Sequence, residues 1–160
     1  MISYYTLIML VKIDGYITDH WLDTRHKLDY QFTKLDHEKG SMIFSNCDDL
    51  DASDLYLFFA ERAQLYNTVS KRRKVTNIAK CFIVSMPAGE YPSEETFVNV
   101  GERLLARMGY GDCPRAMFQH TDTDKSHVHI IVSTISVTVT IEPDAKPEIV
   151  SDSDTVVFIF

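Results

Sequence analysis

An α+β domain built on a mainly antiparallel sheet, with helices packed on one face, is the fold class this sequence predicts. Three observations carry the prediction. Short apolar, β-branched runs recur along the chain and alternate with segments of helical period. Taken in order they read βα, βα, βα, ββ, with the last two strands joined by only the six polar residues "TDTDKS". At 160 residues and 45% hydrophobic content, the chain has the material for one domain with a buried core.

Each element has its own warrant. "YTLIMLVKI" (5–13) is an apolar run that reads as a buried strand. Residues 19–30, "DHWLDTRHKLDY", are polar with Trp21, Leu22 and Leu28 turned inward, and predict a short helix. "SMIFSN" (41–46) follows Gly40 as a short strand. A helix then starts on Ser53 or Asp54 as N-cap and lines Leu55, Phe58, Phe59, Arg62 and Tyr66 along one side. "KCFIVSM" (80–86) is a strand ended by "PAGEYP". Ser93 opens the next helix with Glu94 and Glu95 in its first turn, where acidic groups favour the helix dipole. That helix carries Phe97, Val100, Leu104 and Met108 inward, and Gly109 closes it as a C′ residue. "RAMFQH" and "HVHIIVSTI" are the final pair of strands in the main body. In the acidic tail, "VTVTIE" is a candidate extension of the last strand, and "TVVFIF" is either an edge strand or an exposed apolar end.

Composition excludes several classes. No apolar run approaches the ~18–20 residues a membrane span needs, and the N-terminus lacks the basic start and cleavage site of a secretory signal. Cys47, Cys81 and Cys113 are an odd number at wide spacing, which argues against a disulfide framework and suits a reducing cytoplasm. A net charge of −7 speaks mildly against nucleic-acid binding. The charge is uneven, however: "SKRRK" (70–74) concentrates cations, and Lys34, Lys39, Arg103, Arg107, Arg115 and Lys125 add to them. The tail beyond Ser133 is acidic.

The chemistry concentrates in "FQHTDTDKSHVHIIV" (118–132), which holds three of the six histidines. Side chains alternate along a strand, so His127 and His129 share a face at a separation of about 6–7 Å. If the two strands form a hairpin, His120 ends the first nearly opposite His127. Three imidazoles then converge and leave coordination positions open, as a catalytic metal requires. Asp122 and Asp124 in the connecting loop are placed to hold an imidazole N–H and fix its tautomer. A single histidine on an apolar face is usually a hydrogen-bonded core or surface residue; the third histidine at hairpin distance is what favours a metal. His20, His26 and His37 stand in polar surroundings and read as surface residues.

"HTDTDKSHVHIIV" resembles the three-histidine motif of the relaxases, the mobilisation nucleases of plasmids and conjugative transposons. These belong to the HUH endonucleases, named for a histidine pair like His127 and His129. The run before it, "CFIVSMPAGEYPSEETFVNVGERLLARMGYGDCPRAMFQH", is similar to the family's strand, helix and turn leading into the metal strand. The similarity spans roughly residues 25 to 135, so residues 1–135 are expected to form a relaxase-like nuclease domain and 136–160 an acidic extension of unknown role.

The resemblance implies an HUH-endonuclease fold and a reaction: site- and strand-specific nicking and rejoining of single-stranded DNA at a transfer origin. A tyrosine attacks the phosphodiester and keeps the 5′ phosphate covalently. It further implies a divalent metal held by His120, His127 and His129, with Mg²⁺ or Mn²⁺ expected and Zn²⁺ or Ni²⁺ able to occupy the site. Asp122 is implied in catalysis. Tyr30, at the matching position before Lys34 and Gly40, is the first candidate nucleophile, Tyr16 the second, and Tyr4 or Tyr5 the third. Lys34, Lys71, Arg72, Arg73 and Lys74 are the candidate DNA contacts, accessory mobilisation proteins the further partners. The competing readings are an inactive or truncated DNA-binding module and another HUH enzyme such as a rolling-circle initiator. The absence of a tyrosine after Tyr110 argues against single-tyrosine transposases.

Overall fold

A computed structural model describes residues 8–13, 21–48, 50–70, 74–136 and 155–159. Its elements in chain order are β1 (Ile8–Ile13), α1 (Trp21–Asp36), β2 (Gly40–Ser45), α2 (Ala52–Val69), β3 (Ala79–Ser85), α3 (Glu94–Arg107), β4 (Arg115–His120), β5 (His127–Ser133) and β6 (Thr155–Ile159). The strands form one sheet in the order β2-β4-β5-β3-β1-β6. Every neighbouring pair is antiparallel, and β2 carries an irregularity between Met42 and Phe44. The α+β class and the antiparallel sheet follow the sequence reading. "TVVFI" is an edge strand, paired to β1, while 137–142 lies outside the described residues.

The helices do not share one face. Alternation along β3, β4 and β5 divides their side chains into two sets. Phe82, Val84, Met117, Val128, Ile130 and Val132 pack with Phe97, Val100, Leu104 and Leu105 of α3. Ala79, Cys81, Ala116, Phe118 and Ile131 pack instead with Leu28 of α1 and with Leu55, Phe59, Ala60 and Ala63 of α2. Both faces of the central strands are therefore buried, with α3 on one and α1 and α2 on the other. The unbroken apolar runs "CFIV" and "HIIV" are the mark of two-sided burial, where a one-sided sheet would alternate with polar residues.

Two boundaries also differ from expectation. The N-cap of α2 is Asp51, whose carboxylate accepts from Asp54 N at 2.9 Å; Ser53 and Asp54 already lie inside the first turn. Helix α1 runs on to Asp36, because Gln31, Phe32 and Leu35 continue its contact with the sheet side of the fold. Ser93 caps α3 as anticipated, accepting from Thr96 N at 3.2 Å.

Helices α1 and α3 end the same way. Beyond α3, Tyr110 N donates to Leu105 O and Gly109 N to Ala106 O, with Gly109 at φ +79°. Beyond α1, Lys39 N donates to Lys34 O and Glu38 N to Leu35 O, with Glu38 at φ 55°. Both are Schellman closures, but the second puts a glutamate where glycine is the unstrained residue. That turn feeds directly into Gly40, which pairs with His120. A Cβ on Gly40 would lie 2.6 Å from the Gln119 carbonyl oxygen, so only glycine lets β2 approach β4 this closely.

Candidate metal centre

The β4–β5 register sets His120 opposite His127 and Phe118 opposite His129. Directly opposed residues point to the same face, so all three imidazoles emerge on the α1 side, at the end of the core that Phe118 and Ile131 begin. One nitrogen from each ring lies within 4.8 Å of the others. The ring centroids of His120 and His129 are 4.4 Å apart and stacked, and His127 stands 5.1 and 5.3 Å from them. His120 is 2% exposed, while His127 and His129 are half-buried and leave the cluster open on one side.

Hydrogen bonds fix two of the tautomers. His127 Nδ1 donates to the Lys125 carbonyl at 2.9 Å, which leaves the lone pair on Nε2. His120 Nε2 donates to Gln31 Oε1 at 2.6 Å, which leaves its lone pair on Nδ1. Burial pushes His120 down from 6.5 to about 4, and the neighbouring His127 adds to the effect. At neutral pH His120 is therefore an uncharged imidazole. Three imidazole nitrogens this close together fit a divalent cation, and His120, His127 and His129 are the residues that would hold it.

Helix α1 brings the rest. Thr24, Leu28, Gln31 and Leu35 recur at helical spacing and form its inward stripe, which reaches His120 at Gln31. One residue earlier, Tyr30 turns outward, 49% exposed, with its ring edge-on to His120 at 5.9 Å between centroids. Lys34, one turn on, sets its ammonium 5.3 Å from the Tyr30 ring and bonds the Asp122 carboxylate. This bond raises the Lys34 pKa, with a smaller contribution from the Tyr30 hydroxyl, and holds Asp122 below the usual carboxylate range.

The structure thus gathers His120, His127, His129, Tyr30, Lys34 and Asp122 in one place. It does not put Asp122 behind an imidazole: its carboxylate is engaged by Lys34. Gln31 and the Lys125 carbonyl hold the two ring N–H groups instead. Asp124 contributes its carbonyl, which accepts from the Tyr91 hydroxyl at 3.4 Å. Lys74 is exposed and precedes Ala79, the end of β3 remote from Ser85, which pairs with His127. Lys71, Arg72 and Arg73 lie outside the described residues, as do Tyr4, Tyr5 and Tyr16. Arg115 is no surface cation. It is 7% exposed, and its Nε donates to Glu102 at 2.6 Å, tying β4 to α3. His26 and His37 are exposed, as their surroundings suggested. Gln31 was missed, since nothing in a lone glutamine marks it before the phase of α1 on the sheet is known.

Comparison with known proteins identifies relatives of the chain. Two Escherichia coli proteins named Protein TraI are similar to the chain. One is 34% identical over 100 residues, covering 62% of this chain and 13% of the relative. The other is 33% identical over 98 residues, covering 60% of this chain and 12% of the relative. The chain therefore spans only about an eighth of the length of these relatives. No solved structure gives a significant match. The family model for the relaxase, MobA/VirD2-like nuclease domain, matches residues 16–146, and the chain belongs to that family.

Proposed function

We propose that this domain nicks and rejoins single-stranded DNA at a transfer origin through a covalent bond to Tyr30. The observation that carries the reading is the position of Tyr30: an exposed phenol whose ring meets His120, one of three clustered imidazoles. The Tyr30 oxygen attacks phosphorus, a Tyr30 O–P bond forms, and the bond to the 3′ oxygen breaks. The phenolic proton leaves to solvent and the 3′ oxygen takes one up, so a 5′ phosphotyrosine and a 3′ hydroxyl result. Reversal reseals the strand, and because the phosphodiester energy is kept in the covalent bond, no nucleotide cofactor is needed.

A phenol with an ordinary pKa near 10 is a weak nucleophile at neutral pH, and the phosphate it attacks is anionic. A divalent cation in the site, Mg²⁺ or Mn²⁺, with Zn²⁺ or Ni²⁺ also able to occupy it, would supply Lewis-acid stabilisation of the phosphate charge. Three neutral imidazoles add no negative charge of their own, and as nitrogen donors they suit Mn²⁺ better than Mg²⁺. Lys34 is assigned to the scissile phosphate. Its bond to Asp122 is partly exposed, and such pairs open at little cost when a better anion arrives. Asp122 is the catalytic carboxylate of this reading, holding Lys34 beside Tyr30 until the phosphate displaces it. Lys71, Arg72, Arg73 and Lys74 are assigned to flanking phosphates for the density of positive charge they bring together in the sequence. Accessory mobilisation proteins are the further partners, and the cytoplasm is the compartment. Among the described residues, no helix is long and apolar enough to cross a membrane.

The test is an adduct. Incubation with an origin oligonucleotide and Mn²⁺ yields a protein–DNA species that survives denaturation, and Tyr30→Phe abolishes it. Undiminished adduct from the mutant moves the nucleophile to Tyr16. Salt-sensitive DNA binding with no adduct from the wild type makes the chain a DNA-binding module instead.

A further inference from the structure

We infer that Gln31 is the positioning residue of the metal centre: its amide oxygen selects the tautomer of His120 and locks the helix bearing Tyr30 in phase with the histidines. The inference rests on the metal-site reading above. His120 Nε2 and Gln31 Oε1 are 2.6 Å apart, both residues are 2% exposed, and they are 89 positions apart in the chain.

The chemistry is one of accounting for lone pairs. A neutral imidazole carries one N–H and one lone pair, and only the lone pair binds a cation. An amide oxygen can only accept, so the N–H of His120 sits on Nε2 and the lone pair on Nδ1. Without that acceptor the ring is free to hold its proton on either nitrogen and to turn. His127 is fixed by a backbone carbonyl within its own hairpin, two residues away. The polar hold on His120 comes from another element, α1, and from a side chain.

The neighbour of Gln31 gives this bond its second consequence. Tyr30 and Gln31 are consecutive on α1, one outward and one inward, and both meet His120. Rotating or sliding α1 enough to displace Tyr30 breaks the buried bond of Gln31. A carboxylate at this position would also accept the N–H, but it would bury a charge; an amide holds the ring without one.

Two variants separate the roles. Gln31→Met keeps length and volume and removes the acceptor; Gln31→Glu keeps an oxygen at the same reach. The first readout is the ¹⁵N spectrum of the histidine rings in metal-free protein near neutral pH. The wild type shows His120 as the Nε2–H tautomer, Gln31→Met shows a mixture, and Gln31→Glu restores the wild-type form. The second readout is Mn²⁺ affinity, measured by calorimetry. Gln31→Met loses about 10- to 100-fold, the usual penalty for removing a hydrogen-bond partner behind a metal ligand, and Gln31→Glu loses far less. An unchanged His120 tautomer in Gln31→Met, or equal Mn²⁺ affinity, overturns the assignment of Gln31 while leaving the metal site standing. Equal losses in both variants overturn it too, since packing alone would then explain them. A wild type that binds no Mn²⁺ overturns the metal site itself, and Gln31 with it.

Discussion

Acidifying the metal-free protein from pH 7 to pH 4 costs it stability through His120. This residue is 2% exposed, and burial beside His127 lowers its pKa from 6.5 to about 4. In the unfolded chain the same ring takes up its proton near 6.5. Between these values the unfolded state binds a proton that the native state refuses, so stability falls as pH falls. The contribution is intact above pH 6.5, declines through the window and is lost below about 4. A gap from about 6.5 to about 4, at roughly 1.4 kcal/mol per pH unit, integrates to about 3 kcal/mol.

Urea unfolding in chelator at a series of pH values measures it, with His120→Gln as the comparison. Carboxylates, including Asp122 paired with Lys34, titrate in both proteins and cancel in the difference. The wild type should lose about 3 kcal/mol more than the variant between pH 7 and pH 4. A difference that stays flat across that range, or that runs the other way, refutes a buried, neutral His120. It would mean that the ring is hydrated or that an anion stabilises its charged form.

Two further outcomes follow from the approach to β4. Glu38→Gly should raise the unfolding free energy by roughly 0.5–1 kcal/mol, the left-handed penalty less the extra chain entropy of glycine; a urea midpoint at or below wild type counts against the strained closure of α1. Gly40→Ala should cost about 1–3 kcal/mol, since its Cβ meets the Gln119 carbonyl at 2.6 Å and the His120 ring at 3.3 Å. It should also weaken Mn²⁺ binding, and a melting temperature equal to wild type would show that β2 can give way.

The hairpin was legible because its geometry is local. His120, His127 and His129 are placed by strand alternation and a six-residue loop, and both can be read from adjacent sequence. The inward stripe of α1 was harder, because Thr24 and Gln31 break the apolar pattern that would have extended it to Asp36. The division of the helices between two faces was visible in principle. The run Cys81, Phe82, Ile83, Val84 offers apolar side chains to both sides, and only Ile83 escapes full burial. The partner of Asp122 was not legible at all: Lys34 stands 88 residues away, and which carboxylate it meets depends on where α1 crosses the sheet.

That crossing decides how damage spreads. His127 and His129 ride on β5, a strand with neighbours on both sides, and local rules keep them in register. Tyr30, Gln31 and Lys34 all ride on α1, whose buried contacts centre on Leu28 and on the edge-on pair of Phe32 and Phe118 at 5.5 Å. Truncating Leu28 therefore does more than open a cavity costing a few kcal/mol. It loosens the helix that carries the proposed nucleophile Tyr30, the buried Gln31 amide and Lys34 together, so the rate of the proposed reaction should fall before Mn²⁺ affinity at His127 and His129 does. In this domain the three imidazoles proposed to hold the metal all belong to the sheet, and the groups proposed to react belong to the packing of a helix upon it.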